Sequence, residues 1–222
     1  MEFYLVAMLA MFPMLLGMLQ VALLLIANHQ VDLAAMMAAR AGATEGGSTT
    51  AIRVAFANAL TPMFLHSAQR GNANALASQL IEARARALGE VMIFGQIRLL
   101  SPSQEARRTW AIERDGQQVI PNDSLPMRLR VSGGASRSDG DRDRDRDTDT
   151  DTDARSTLLE ANTLEVEATW CHPLIVPLAG PLLIAATRWL DDEPLHQLCY
   201  AADRLPIRSR GIAPMQSDFI VE

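Results

Sequence analysis

The sequence predicts an α+β fold: a long N-terminal membrane helix followed by a small domain built on an antiparallel sheet. Three patterns predict it. Phe3 to Ala27 runs 25 residues without a charge, and only Gln20 is clearly polar. Leu164, Val166, Ala168 and Trp170 alternate with Glu165, Glu167 and Thr169, the period of a half-buried antiparallel strand. Ile207, Ser209, Gly211 and Ala213 alternate with residues that include Arg208 and Arg210, giving a second extended segment over Leu205–Met215.

As a helix, Phe3–Ala27 spans roughly 37 Å at about 1.5 Å per residue, more than the ~30 Å hydrocarbon core of a bilayer. A cleaved secretory signal would have an apolar region of only ~7–15 residues behind a basic stretch. This run is too long and nothing basic precedes it, so a retained membrane helix is expected over about 3–27. Pro13 lies inside it, a residue that membrane helices tolerate where neighbours satisfy the freed carbonyl. Met8, Met11, Met14 and Met18 line one side, either as filler facing lipid or as a packing stripe against other helices.

From Asn28 to Ala43 the chain is rich in strong helix formers, so the helix is expected to continue. His29, Asp32 and Arg40 make this part polar enough to leave the bilayer. His29 and Asp32 read as a solvated interfacial pair, because a third metal ligand is missing. Gly42 and Glu45-Gly46-Gly47-Ser48 end or interrupt the helix.

Thr49–Leu60 is a short amphipathic stretch stopped by Pro62. Asn72–Leu88 reads as a helix, with Leu76, Leu80, Ile81, Ala85 and Leu88 on one face and Arg84 and Arg86 outside. Val91–Leu100 reads as a strand with Phe94-Gly95 at its middle, ended by Pro102. One helical turn over Ser103–Arg108, an extended Trp110–Arg114, a turn at Asp115-Gly116 and a strand at Met127–Val131 follow. The apolar run Leu182–Leu190 is too short to span a bilayer.

The organisation read from these signals is a helix and its extension over 1–43, a first domain part over 44–132, a loop over 133–156 and a second domain part over 157–222. The loop is rich in Asp, Arg and Thr, and such a composition predicts disorder. Its eight aspartates and three arginines between Asp139 and Asp153 carry −5 of the chain's −6 net charge. As a calcium loop starting at Asp147 it fails, with Thr152 where glycine is needed and Leu158 where glutamate is needed.

Composition also removes several function classes. All 20 basic residues are arginine, so there is no P-loop, Schiff-base or kinase lysine. A net acidic chain with 5% aromatics and no basic cluster gives nucleic-acid binding no electrostatic basis. Two cysteines and four scattered histidines, His29, His66, His172 and His196, give no zinc spacing. Ser48 in Gly46-Gly47-Ser48-Thr49-Thr50 lacks the second glycine of a nucleophile elbow. An enzyme is not expected, nor a cofactor, a metal, a nucleic-acid partner or a small-molecule substrate.

The opening MEFYLVAMLAMFPMLLGMLQVALLL and Ala38-Ala39-Arg40-Ala41-Gly42-Ala43 resemble the TadE-like proteins of tight-adherence pilus assembly. So do Ile120-Pro121-Asn122-Asp123, Glu160 to Val166, Cys171-His172-Pro173-Leu174, Arg204 to Arg208 and Pro214-Met215-Gln216-Ser217. Together these blocks cover most of the chain outside the aspartate tract. The resemblance implies a minor pilin or pseudopilin acting in cell adhesion: a single-pass protein of the Gram-negative inner membrane with a pilin-like periplasmic domain. Membrane lipid, other pilins and the assembly machinery would be its partners. Members carry a basic leader that a prepilin peptidase removes after a glycine, making that peptidase a further candidate partner. Glu2-Phe3 matches the family's Glu-Phe pair, while the leader and its glycine are not seen ahead of it; a start further upstream or loss of the leader are the two readings. A single-pass periplasmic adaptor outside any filament is the alternative function.

Glu2 has a physical role open to it in either case. A carboxylate at the edge of an apolar helix is costly to bury unpaired, so in a bundle it would accept a neighbour's terminal ammonium and set axial register. Otherwise it is an ordinary glutamate at the headgroup layer. Cys171 and Cys199 are expected in an oxidising compartment and are candidates for a disulfide, with two buried free thiols as the other reading.

Overall fold

The computed structural model describes residues 2–65, 73–123, 160–177 and 179–221. His66, the expected strand at Met127–Val131 and the aspartate tract lie outside the described residues. The described chain is α+β, with one long apolar N-terminal helix and a small antiparallel-sheet domain. Its elements are α1 (Glu2–Thr44), α2 (Thr49–Leu60), a 3-10 turn (Thr61–Phe64), α3 (Ala73–Phe94), β1 (Gly95–Ser101), α4 (Gln104–Trp110), β2 (Ile112–Arg114) and β3 (Gln117–Ile120). After these come β4 (Thr163–Pro173), α5 (Ala179–Leu190), α6 (Pro194–Ala201), β5 (Arg204–Pro214) and β6 (Phe219–Ile220). One sheet has the order β1-β4-β5 and a second the order β2-β3-β6, in which β3 pairs antiparallel with both neighbours. The chain divides into two compact units, the first of Met1–Ala35, Phe56–Ile97 and Ala168–Ser209, the second of Met36–Ala55, Arg98–Glu167 and Arg210–Glu222.

In the first unit α1 is helical straight through Pro13. Among its described side chains the buried positions begin at Gln20 and continue as Ala27, Val31, Ala34 and Ala35. Alanines at this spacing let neighbouring backbone approach closely and cost little side-chain entropy. The rest of this core is dominated by Phe56, Leu60, Val91 and Trp170. Phe64 and His172 meet the Trp170 ring edge to face, at 6.3 and 5.2 Å between centroids. Cys171 and Cys199 are bonded, with Cα atoms 5.3 Å apart, which ties the end of β4 to α6.

Two sequence expectations are corrected here. The helix expected to stop at Leu88 runs on to Phe94, and the strand begins only at Gly95. The glycine sits where a Cβ would lie 2.6 Å from the Val91 carbonyl oxygen, so the missing side chain permits the abrupt exit. The buried face of α3 is Ala83, Ala87 and Val91, while Leu76, Leu80, Ile81 and Leu88 are exposed. Helical periodicity alone does not choose between two adjacent apolar stripes. The stripe of smaller residues packs inward.

In the second unit α1 ends against α2 and β4. A Cβ on Gly42 would come within 2.6 Å of both Ile52 and Leu164. The chain then turns at Gly46 and Gly47, both at positive φ (64° and 81°), a conformation that costs other L-residues roughly 1–2 kcal/mol. The orphan carbonyl of Ala43 at the helix end accepts hydrogen bonds from the Gln216 and Ser217 amides and the Ser217 hydroxyl at 3.0–3.2 Å. Asp115 and Gly116, also at positive φ, form the two-residue β2–β3 hairpin.

β4 departs from the half-buried strand expected. From Val166 to His172 both faces are buried. In the second unit Glu167 is buried because Arg210 on β5 donates to it at 3.1 Å, and the same guanidinium lies 3.7 Å from Glu165. The alternation expected for β5 is present, with Ile207, Ser209, Gly211 and Ala213 buried and Arg208, Arg210 and Ile212 exposed.

Candidate functional site

The apolar half of α1 is the first candidate surface. Every side chain described from Tyr4 to Leu19 is exposed or half-exposed, including Met8, Met11, Met14 and Met18. Glu2 and Phe3 belong to its first turn, and their side chains lie outside the described residues. Among the described residues this helix alone is long and apolar enough to cross a membrane.

Gln20 marks where this surface gives way to packing. It is wholly buried, and its Oε1 accepts the Val176 backbone N–H at 3.0 Å. The single polar residue of the uncharged run is thus a clasp to the domain and not a lipid-facing residue. The side-chain nitrogen is buried without a partner, a cost on the order of 1–3 kcal/mol that the clasp has to offset. Eight residues on, Asn28 is exposed, and Val21, Leu24, Leu25 and Asn28 share a groove with Leu205–Arg208 of β5. Asp32 then accepts the Ser209 hydroxyl at 2.6 Å. The solvated pair expected of His29 and Asp32 is therefore corrected: Asp32 joins α1 to β5 and His29 is exposed. Two clasps twelve residues apart, about 18 Å along the helix, hold this part of α1 to its unit.

A polar cluster sits at the connection between α5 and α6. Asp191 meets His196 Nδ1 at 2.5 Å, and its carboxylate accepts from the Tyr200 hydroxyl at 2.9 Å and the Glu193 amide at 3.1 Å. These donors hold the Asp191 carboxyl below the usual carboxylate range, with the Glu193 amide foremost. Burial, then the bond to Asp191, pushes the Tyr200 phenol up. His196 Nε2 faces Glu193 and Arg208, which pair with each other. Through His196, Gln197 and Tyr200 this cluster ties the α5–α6 connection at Asp191 to α6. Nearby, Arg204 donates to Glu90 at 2.5 and 3.3 Å, stacks 3.6 Å over Phe94 and reaches the Cys171 carbonyl. Burial, then the Arg204 charge, lowers the His172 pKa to about 4, so the ring is neutral at pH 7. Among the described residues no three of His, Cys, Asp and Glu form a metal-holding group.

The scattered sequence blocks also converge. In the second unit the Ala43 carbonyl binds the Gln216-Ser217 segment, and the Met215 N–H donates to the Asn162 carbonyl at 2.9 Å. Asn122 Nδ2 donates to the Met215 carbonyl at 2.8 Å, and the Asn122 amide to Asp218 at 2.9 Å. In the first unit Arg204 and the disulfide gather around Cys171. What sequence reasoning missed was the role of Gln20, Asp32 and Glu167, whose partners lie more than 40 residues away in the chain. A lone polar residue in an apolar run was the available signal for Gln20. No protein-family model matches the chain, and no curated protein or solved structure matches it significantly.

Proposed function

We propose that the chain is a membrane-anchored, pseudopilin-like component of tight-adherence pilus assembly. It would be held in the bacterial inner membrane by α1, with its domain in the periplasm. The observation that carries this reading is the division of one helix into two halves. Every described side chain between Tyr4 and Leu19 is exposed or half-exposed, whereas from Gln20 onward the helix carries a buried alanine stripe and two hydrogen-bonded clasps. Such a helix suits an anchor that also transmits subunit contacts to its domain. The disulfide accords with an oxidising compartment. Glu2 is the residue proposed to set register between packed helices, with Phe3 beside it.

Alkaline-phosphatase fusions after Arg155 test the topology: active fusions are expected, and inactive ones alongside active cytoplasmic reporters would reverse it. A processed N-terminus and co-purification with pilus machinery would favour assembly. The second reading, an adaptor that enters no filament, draws on a cavity of about 240 Å³ lined by Ile93, Phe94, Thr169, Leu195 and Leu198. A full-length anchor with a stable soluble complex would favour that reading.

A further inference from the structure

We propose that α5 is a second membrane-contacting element, an amphipathic helix lying against the bilayer surface beside the point where α1 leaves it. The proposal rests on the reading that α1 crosses a membrane.

The pattern on α5 is inverted relative to a surface helix of a soluble domain. Ala179, Gly180 and Ile184 are buried, while Leu182, Ala185, Ala186, Trp189 and Leu190 are exposed at i, i+3, i+4, i+7 and i+8. A soluble domain turns such a stripe inward. Trp189, at 85% exposure, is the most exposed large apolar side chain among the described residues, and Ile175 ahead of the helix is 70% exposed. Arg188 stands in the last turn, where its stem can lie along apolar surface while the guanidinium reaches phosphate. Asp191, which follows, is engaged with His196 and Tyr200. Trp with a basic neighbour is the chemistry of the headgroup layer.

Placement supplies the occupant. The Val176 N–H binds Gln20, and the Gly180 N–H returns to the Val176 carbonyl at 3.2 Å, so α5 starts at the level of Gln20 on α1. Glu2 to Leu19 rise about 27 Å, close to the ~30 Å hydrocarbon thickness. The apolar character of α1 continues past Gln20 as far as Ala27. The first turn of α5 therefore sits at the level of Gln20, beside the part of α1 that on this reading leaves the lipid, and its outward stripe adds exposed apolar surface near that level. A lipid surface covers both with one boundary; a protein partner would have to share the same level with headgroups. On this proposal the segment of α1 after Gln20, which shares a groove with β5, lies at the headgroup layer.

Tryptophan quenching in vesicles tests this. The full chain and Trp189→Phe are reconstituted into phosphatidylethanolamine–phosphatidylglycerol vesicles, with and without brominated acyl chains, and retention is checked by flotation after carbonate extraction. The wild-type minus Trp189→Phe difference isolates Trp189 from Trp110 and Trp170. The expected result is loss of that emission in brominated vesicles together with loss of its quenching by aqueous iodide. Retained protein whose Trp189 stays open to iodide and indifferent to bromine would overturn the proposal while leaving the anchor intact. Trp189 shielded from iodide yet unquenched by bromine would assign the stripe to a protein contact, which also overturns it. Chain lost on carbonate extraction would instead refute the anchor reading on which the proposal depends.

Discussion

Replacing Gly47 by alanine should destabilise the domain more than any other single-methyl addition at its turns, and the structure sets the size. Gly47 has φ +81°, and a Cβ built there lies 2.2 Å from Cε2 and 2.5 Å from Cδ2 of Phe219. That ring is buried, paired through its backbone with Ile120, and covered by the Arg107 guanidinium at 5.2 Å. It has to move by more than an ångström, which is overpacking worth about 1–3 kcal/mol. The left-handed backbone adds about 1–2 kcal/mol, and the lower entropy of an unfolded alanine returns about 0.4–1 kcal/mol. The net loss is about 2–4 kcal/mol. Gly116 is the control, because it has φ +77° and nothing within 4 Å of its Cβ. Gly116→Ala carries the backbone cost alone, about 1 kcal/mol or less. With a urea slope of about 2 kcal/mol/M, the two midpoints should differ by about 1 M in pulse proteolysis of the purified full chain in detergent. Equal midpoints for Gly47→Ala and Gly116→Ala would show that Phe219 yields freely and that the close approach carries no energy.

Replacing both Cys171 and Cys199 by alanine should cost about 3–4 kcal/mol by the same assay, from opening a loop of sequence separation 28; a loss below about 1 kcal/mol would contradict the loop-closure argument. His172 is neutral in the fold with a pKa of about 4, below the ordinary value of 6.5, so the unfolded chain binds its proton first. Stability from this group is therefore complete above about pH 6.5 and falls progressively as pH drops toward 4. The variant His172→Gln should flatten that part of the stability profile, and an unchanged slope would assign the acid loss elsewhere. Deleting Asp141–Asp153, which contains no apolar residue, should leave protein level and membrane insertion unchanged, with a collapse in level as the contrary result.

The sequence by itself determined what depends on local order: the uncharged run of α1 and its end at a glycine-rich turn, α2 to the residue, the Asp115-Gly116 hairpin and the alternation of β5. Periodicity, breakers and turn chemistry act within a few residues, so they are readable without the fold. Tertiary structure decided which of two apolar stripes on α3 faces inward, because that choice depends on how closely another element approaches. It decided that β4 is buried on both faces, since Glu167 enters the interior only with Arg210 on the neighbouring strand. It also divided α1 at Gln20, whose partner Val176 is 156 positions away. A buried polar group takes its meaning from the group that satisfies it, and sequence spacing carries no record of a partner that distant.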